Sequence, residues 1–446
     1  MSGQAIAPWA GDDRVARWIG RNIVRGLTLA SVASIFAISP LMLYDWGFKY
    51  GDAGGSIVEK VHPGTWLALL AVVATGLGRG NLLFALDDFV RSRAVAAYLL
   101  GLGTLFAFTI EVRNAPFTPW IDTFVLPALL YVLIQNMETL DKRRAELIIH
   151  VLLNANAALG LYENITGYRL TSFVAGQFLL ETDWRSTALL GHPLANALAT
   201  GTYAIILGLG GGRDLPGWLR LPVLGLQLIA MVAFGGRTSL VMTLLILAFV
   251  GLRRLAVLLM GGRFDALRAG LLFMGLPALG AVILNGAGAG FFDRMIGRFI
   301  DDNGSASARV VMLRLFDYIS WEGIVFGPDP TLIGPLQYML GIEYGIESFW
   351  VAFVLMNGLA VSLVFFAGLA AFSWRLFIDT RPATLTLLFY YYFIASTSVS
   401  MSSKTCALGI FATMILTMMR AYGPGLKPAA ASPPTASRPR RRPAGR

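Results

Sequence analysis

Runs of roughly twenty apolar residues recur along almost the whole chain, each long enough to cross about 30 Å of hydrocarbon. Backbone inside lipid must pair its own polar groups, so such runs fold there as helices or as closed barrels, and unbroken apolar stretches are the helical case. About twelve spans are expected, the first near 24–44, the ninth near 268–285, the tenth near 348–371 and the last near 405–420. Composition agrees: 56% of the 446 residues are hydrophobic and 14% charged, with mean hydropathy +0.65, where a soluble domain is about a quarter charged. The expected architecture is an all-α integral membrane protein. It has a basic N-terminus at 1–22, a polytopic membrane domain at 23–421 and a disordered, Pro-rich basic tail at 422–446. The first span is long, Pro-terminated and without a clear cleavage pattern, so it is read as retained.

Lysine and arginine orient the spans, because basic loops stay on the cytoplasmic side. With the N-terminus inside, the cytoplasmic segments carry Arg14, Arg17, Arg21 and Arg25, then Arg79, Arg91 and Arg93, then Lys142-Arg143-Arg144. Arg213, Arg220, Arg253, Arg254, Arg263, Arg268, Arg375, Arg381 and the tail beyond Arg420 follow on the same side. The outer side receives fewer, among them Arg113, Arg185, Arg237, Arg309, Arg314 and Lys404. An even span count with both termini inside satisfies this asymmetry. The net charge of +10 then reflects topology, spread over short loops and a tail, and no nucleic-acid partner is expected. Arg438, Arg440, Arg441 and Arg442 read either as a contact with anionic membrane lipid or as a solvated topogenic tail. The lone Cys406 leaves no intrachain disulfide and reads as a small apolar residue.

The longest segment between spans, about 286–347, lies on the outer side, and a loop of that length is usually functional or disordered. Its stretch SARVVMLRLFDYISWEGIVF sets Val310, Leu313, Phe316 and Ile319 at near-helical spacing, which predicts an amphipathic helix on the membrane surface.

Several outer residues are suited to chemistry. In MVAFGGRTSLVMTLL the chain reverses at Gly235-Gly236, so Arg237 sits at the start of the next helix, where backbone N–H groups and a guanidinium together suit phosphate. The plainer reading is an interfacial arginine that snorkels. Arg309 and Arg314 lie on the surface helix; Arg314 has Asp317 within reach for a salt bridge, and Arg309 has no local partner. His192, before Pro193, marks the outer end of the sixth span, either lining the same cavity or capping the helix. His62-Pro63 repeats the arrangement. Glu347 opens the tenth span, as a helix-start carboxylate or as a general base. Asp301-Asp302 before Asn-Gly reads as a turn. No set at metal-ligand spacing, P-loop, GxSxG or dinucleotide fingerprint is found, so no metal or cofactor is expected and the reaction's energy must arrive with the substrate.

Arg237 after a tight turn in GGRTS, Arg309 in one large outer loop, the Pro- and Asn-containing span GHPLANALATG and a polar residue entering the next span together resemble the O-antigen ligase and Wzy-type polysaccharide polymerase superfamily. Within it the chain is most similar to VpsF-type exopolysaccharide proteins. Glu347 stands ahead of Gly358 at the spacing the family has for a His-Asn ahead of a Gly. That departure leaves Glu347 two roles, general base or orientation of the acceptor.

The resemblance implies a GT-C-like fold and a metal-independent, inverting glycosyl transfer at the periplasmic face of the bacterial inner membrane. The donor would be an oligosaccharide on polyprenyl diphosphate and the acceptor a sugar hydroxyl of a lipid-linked glycan, with other polysaccharide export proteins as candidate partners. Arg237 and Arg309 would bind the diphosphate, Glu347 would take the proton, and Arg314 and His192 would contact substrate. A ligase acting on lipid A core shares this chemistry. A flippase or exporter would instead bury charges in mid-span, and a different glycosyltransferase would place its base at Asp45 or Asp52.

Overall fold

Proline, glycine and capping side chains set where the apolar runs start and stop. The computed structural model describes residues 12–51, 54–79, 81–175, 178–180, 183–261, 280–281, 284–288, 290–300, 305–342 and 345–421. The expected span at 268–285 lies mostly outside these residues, as do Asp52, the Asp301-Asp302 turn and the tail from 422. α1 (Asp12–Ala37) ends before Ser39, whose hydroxyl accepts from the Met42 N–H and caps α2 (Pro40–Asp45). Then come α3 (Pro63–Gly78), α4 (Leu82–Val90), α5 (Arg93–Ala107), α6 (Thr118–Trp120), α7 (Leu126–Gln135), α8 (Thr139–Thr166), α9 (Pro193–Gly208), α10 (Arg220–Phe234) and α11 (Arg237–Leu259). α5 continues through a π turn, Phe108–Val112, and a second π turn, Ile121–Val125, joins α6 to α7. Beyond residue 285 lie α12 (Asp293–Ile300), α13 (Ser305–Val311), α14 (Trp321–Phe326), α15 (Pro330–Met339), α16 (Phe349–Ile378), α17 (Thr384–Ala395) and α18 (Ala407–Met418). One two-residue ladder, Val174–Ala175 against Phe178–Leu179, interrupts the loop between α8 and α9.

Among the described residues, six helical stretches are long and apolar enough to cross a membrane: Arg93–Val112, Thr118–Gln135, Thr139–Thr166, Gly217–Phe234, Arg237–Leu259 and Phe349–Ile378. The protein is therefore helical and membrane-embedded. The expected twelve are not all reached among these residues, since the span at 268–285 lies mostly outside them and several of the remaining apolar helices are short. α3, with 16 residues, reaches only about 24 Å at 1.5 Å per residue, and α17 and α18 are shorter still.

Close helix contacts rest on glycine. A Cβ on Gly101 of α5 would lie 3.1 Å from Val364 O, and one on Gly368 of α16 would lie 2.9 Å from Ala97 O. Small residues at matching levels let two antiparallel helices approach in lipid, where apolar side chains gain little by leaving their surroundings. The approach stacks Tyr98 on Phe372 at 4.7 Å. α5 and α16 thus bring Val112 and Phe349 to one end of the bundle. Phe124 lies 6.5 Å from Phe349, and the Thr123 hydroxyl accepts from the Thr405 N–H. The starts of α16 and α18 therefore share this end, the Glu347 end. At the opposite, Arg420 end, Arg254 donates to Gly208 O at 2.6 Å, Arg381 to Gly210 O at 2.8 Å and Arg220 to Gly212 O at 2.8 Å. Three cations thereby cap the carbonyl end of α9, where the helix dipole is negative.

The segment before α16 does not form the single amphipathic helix expected. α13 gives way to a 3-10 turn over Met312–Tyr318, and three residues per turn align Met312 and Leu315 instead of Val310 and Leu313. Met312 and Leu315 are 7% and 0% exposed; Val310 and Leu313 are 65% and 52% exposed. Met312, Leu315, Ile319, Ile342 and Ile346 form a small core with Ala352 and Leu355 on the first turns of α16. α14 ends against a break in α16 at Gly358, whose φ of 78° and ψ of 158° are non-helical.

Candidate functional site

Glu347 lies just ahead of α16, and Arg309 lies in the last turn of α13. The small core carries α13 onto the start of α16, so Arg309 Nε donates to Glu347 Oε2 at 3.1 Å across 38 residues of sequence. Their side chains are 33% and 37% exposed. An exposed pair of this kind adds about 0–1 kcal/mol to stability. A guanidinium has five donors, so a contact through Nε is compatible with phosphate oxygens at its terminal nitrogens.

Arg237 is the first residue of α11. α10 ends at Gly235 with φ 65°, in the left-handed region, its N–H reaching Met231 O and Val232 O at 3.1 and 3.0 Å. A Cβ on Gly235 would approach the Arg185 side chain to 2.8 Å, and one on Gly236 would approach Ala197 Cβ to 2.4 Å. Only glycine fits this turn, which sets Arg237 beside the loop carrying Arg185. Arg185 grips Asp183 through Nε and Nη2, at 3.0 and 2.7 Å, and lies 5.0 Å above the Phe173 ring.

Phe173 in turn meets His192, with ring centroids 5.3 Å apart. His192 caps α9: its Nδ1 accepts from the Leu194 N–H at 3.2 Å. His62 does the same for α3, accepting from the Gly64 N–H at 3.0 Å, so His-Pro starts both helices. Burial, reinforced by the nearby Arg185 cation, pushes the His192 pKa down to about 4. A neutral His192 with Nδ1 engaged keeps an Nε2–H donor and carries no charge. Arg314 is exposed on the 3-10 turn. Among the described residues it forms no ion pair, so the expected bridge to Asp317 is absent.

Of the five residues the structure pairs Arg309 with Glu347, sets His192 near Arg185 through the Phe173 ring, and leaves Arg237 at the start of α11 and Arg314 exposed on the 3-10 turn. Two further charged sites at this end were not singled out from the sequence. Arg113, after the π turn of α5, donates from Nη1 to Pro328 O at 2.5 Å and lies 5.3 Å from the Phe108 ring centroid. Its Nε and Nη2 are buried with no hydrogen-bond partner among the described residues. Burial pushes its pKa down and Asp329 partly restores it.

Asp122, fully buried on the second π turn, is the other site. Its carboxylate accepts from Tyr50 Oη at 2.7 Å, Thr65 Oγ1 at 2.7 Å and the His62 N–H at 3.1 Å. Lys404 Nζ stands 4.0 Å away, donates to Tyr50 O at 2.8 Å and sits over the Tyr50 ring at 3.5 Å. Burial pushes the Lys404 pKa down to about 8, against the pull of Asp122. A carboxylate inside an apolar span was the available signal. Arg113 carried none, because Pro328 and Asp329, which meet its guanidinium, lie more than two hundred residues away.

A cavity of about 40 Å³, lined by Ile38, Leu190, Leu198, Tyr391, Cys406 and Phe411 among others, lies between α1, α9 and α18. It has room for water but not for a sugar, and Glu347 and the arginines are not part of its lining. Comparison with protein-family models, curated proteins and solved structures returned no match to this chain.

Proposed function

We propose that the chain is a polysaccharide polymerase, a metal-independent inverting glycosyltransferase that moves glycan from a polyprenyl-diphosphate carrier onto a sugar hydroxyl of a lipid-linked acceptor. On this reading the Glu347 end faces the periplasm from a bacterial inner membrane, a side supported by the scarcity of Lys and Arg there. The observation that supports this reading is the Arg309–Glu347 pair, a guanidinium and a carboxylate in contact at 3.1 Å on an accessible surface. A diphosphate entering the site competes with Glu347 for Arg309, since both are anions seeking the same cation. Binding of the donor would therefore free the carboxylate when it is needed.

Glu347 then takes the acceptor hydroxyl's proton while that oxygen attacks the anomeric carbon. The bond from that carbon to the diphosphate breaks, and polyprenyl diphosphate leaves with the electron pair. Arg309 and Arg237 stabilise the charge that develops on it. Glu347 as an orienting group for the acceptor remains the alternative role.

The test is to mix detergent-purified protein with lipid-diphosphate oligosaccharide repeats and follow product length by gel and mass spectrometry. A ladder in wild type that is lost in Arg237→Ala, Arg309→Ala and Glu347→Gln supports polymerisation. A single transfer that requires lipid A core identifies a ligase. An unchanged native substrate in every case rejects glycosyl transfer and favours an exporter, a reading that the buried ionisable groups of α8 also favour.

A further inference from the structure

Buried polar side chains run from the Arg420 end into the interior where α8, α9 and α10 pack together. Arg420 Nη2 donates to Glu146 Oε2 at 2.6 Å and to Asp214 Oδ2 at 2.7 Å, and the Asp214 N–H donates to Glu146 Oε1 at 2.9 Å. The Asp214 side chain is 26% exposed and faces Arg143 at 3.6 Å, so this cluster meets solvent. Glu146 itself is fully buried, with Oε1 3.5 Å from Nε2 of His150, one turn further along α8. His150 Nδ1 is 2.6 Å from Tyr203 Oη. Asn154, a turn beyond, reaches the same hydroxyl at 3.5 Å and accepts from Gln227 Nε2 at 3.1 Å. At 1.5 Å per residue, Glu146 to Asn154 covers about 12 Å of the membrane's depth.

On the same three helices lie further buried atoms with no hydrogen-bond partner among the described residues: Gln227 Oε1 on α10, Asn156 Nδ2 on α8, and Thr200 Oγ1 and Asn196 Oδ1 on α9. Their residues are almost fully buried. At the far side Asn156 Oδ1 accepts from the Leu189 N–H at 2.9 Å, and Asn196 Nδ2 donates to Thr187 O at 2.5 Å, both in the loop at the Glu347 end. An unsatisfied buried polar atom is costly, and several on three packed helices are what internal waters satisfy.

We propose that α8, α9 and α10 enclose a hydrated proton path whose relaying link is His150. A proton arriving past Asp214 and Glu146 binds His150 Nε2. The imidazolium gives its Nδ1 proton to Tyr203 Oη as that hydroxyl passes its own proton to a water held by Gln227 Oε1. One proton enters for each that leaves, no electrons move, and a tautomer exchange resets the ring. The charged groups around His150 are Glu146 on its own helix, Arg420 and Asp214 beyond it, and Arg220 acting across Tyr203. Gly212 and Met418 bring only uncharged atoms to the region. This path is independent of the glycosyl-transfer reading.

The test reconstitutes the full-length protein in potassium-loaded phosphatidylethanolamine and phosphatidylglycerol vesicles. Valinomycin sets a membrane potential and a trapped pH dye reports proton entry. Wild type should admit protons about a hundredfold faster than protein-free vesicles, and His150→Phe and Tyr203→Phe should each remove most of that, the scale of a positioned acid–base group. Wild-type flux equal to that of protein-free vesicles overturns the proposal whatever the variants do. So does undiminished flux in Tyr203→Phe, which deletes only a hydroxyl and keeps the ring packed.

Discussion

The Arg309–Glu347 pair separates stability from activity at a single contact. Because both side chains are a third exposed, Arg309→Ala and Glu347→Gln should each lower unfolding stability by no more than about 1 kcal/mol. On the proposed function the same changes should reduce transfer by about 10²-fold or more, the range of a lost acid–base or charge-stabilising group. Thermal unfolding and product analysis on the same preparations check this, and parallel losses in both would reduce the pair to a loop fastener. Lys404 offers a second test at this scale. Its pKa of about 8 lies below the ordinary value of about 10.4, so the unfolded chain holds the proton more tightly. This group therefore favours the folded state increasingly as pH rises from about 8 towards 10.4. Amine-reactive labelling of Lys404, followed by mass spectrometry against pH, should show its midpoint near pH 8. Because the Asp122 carboxylate raises this pKa, Asp122→Asn should move the midpoint lower still.

Among the elements, α16 carries the largest local departure from regular geometry. At Gly358 a side chain would meet two obstacles, a φ of 78° and a Cβ 2.4 Å from Gly327 N. Gly358→Ala should destabilise the protein by more than the roughly 1 kcal/mol of a simple left-handed penalty, and loosen α14, which ends against it. Hydrogen exchange over 321–326 should rise together with a fall in thermal stability, whereas an unaltered exchange pattern would show that the docking does not depend on the break. Helix starts at Pro63, Pro193 and Arg237 were legible in the sequence because proline, a capping histidine and a glycine pair act within a few residues of themselves. The register of the Met312–Tyr318 turn was not legible, because packing on Ala352 and Leu355 selects it over an α-helix. Arg309 and Glu347 could each be named from position alone, but their contact depends on that same packing. Asp122 went unread because Tyr50, Thr65 and Lys404 approach it from three distant segments.

For the molecule as a whole, arginines are concentrated at two opposite ends. The Glu347 end carries Arg113, Arg185, Arg237, Arg309 and Glu347, and the Arg420 end carries Arg143, Arg220, Arg254 and Arg381. The second set is largely engaged with backbone carbonyls and carboxylates that close the bundle. A polymer-forming site needs the reverse, cations held near solvent where a lipid-borne diphosphate can reach them, and that requires the Glu347 end to face outward. Helix direction makes the requirement testable without substrate, because α14 and the start of α8 lie at opposite ends. In a Cys406→Ala background, which removes the native thiol, Glu322→Cys and Arg143→Cys place single reporters at exposed positions. An impermeant maleimide should label the first in cells whose outer membrane alone is permeabilised, and the second only after the inner membrane is opened. If Arg143→Cys labels first, Arg309 and Glu347 face the cytoplasm. Periplasmic glycosyl transfer then fails on topology alone, while the proton path through His150 stands with its entrance on the other side.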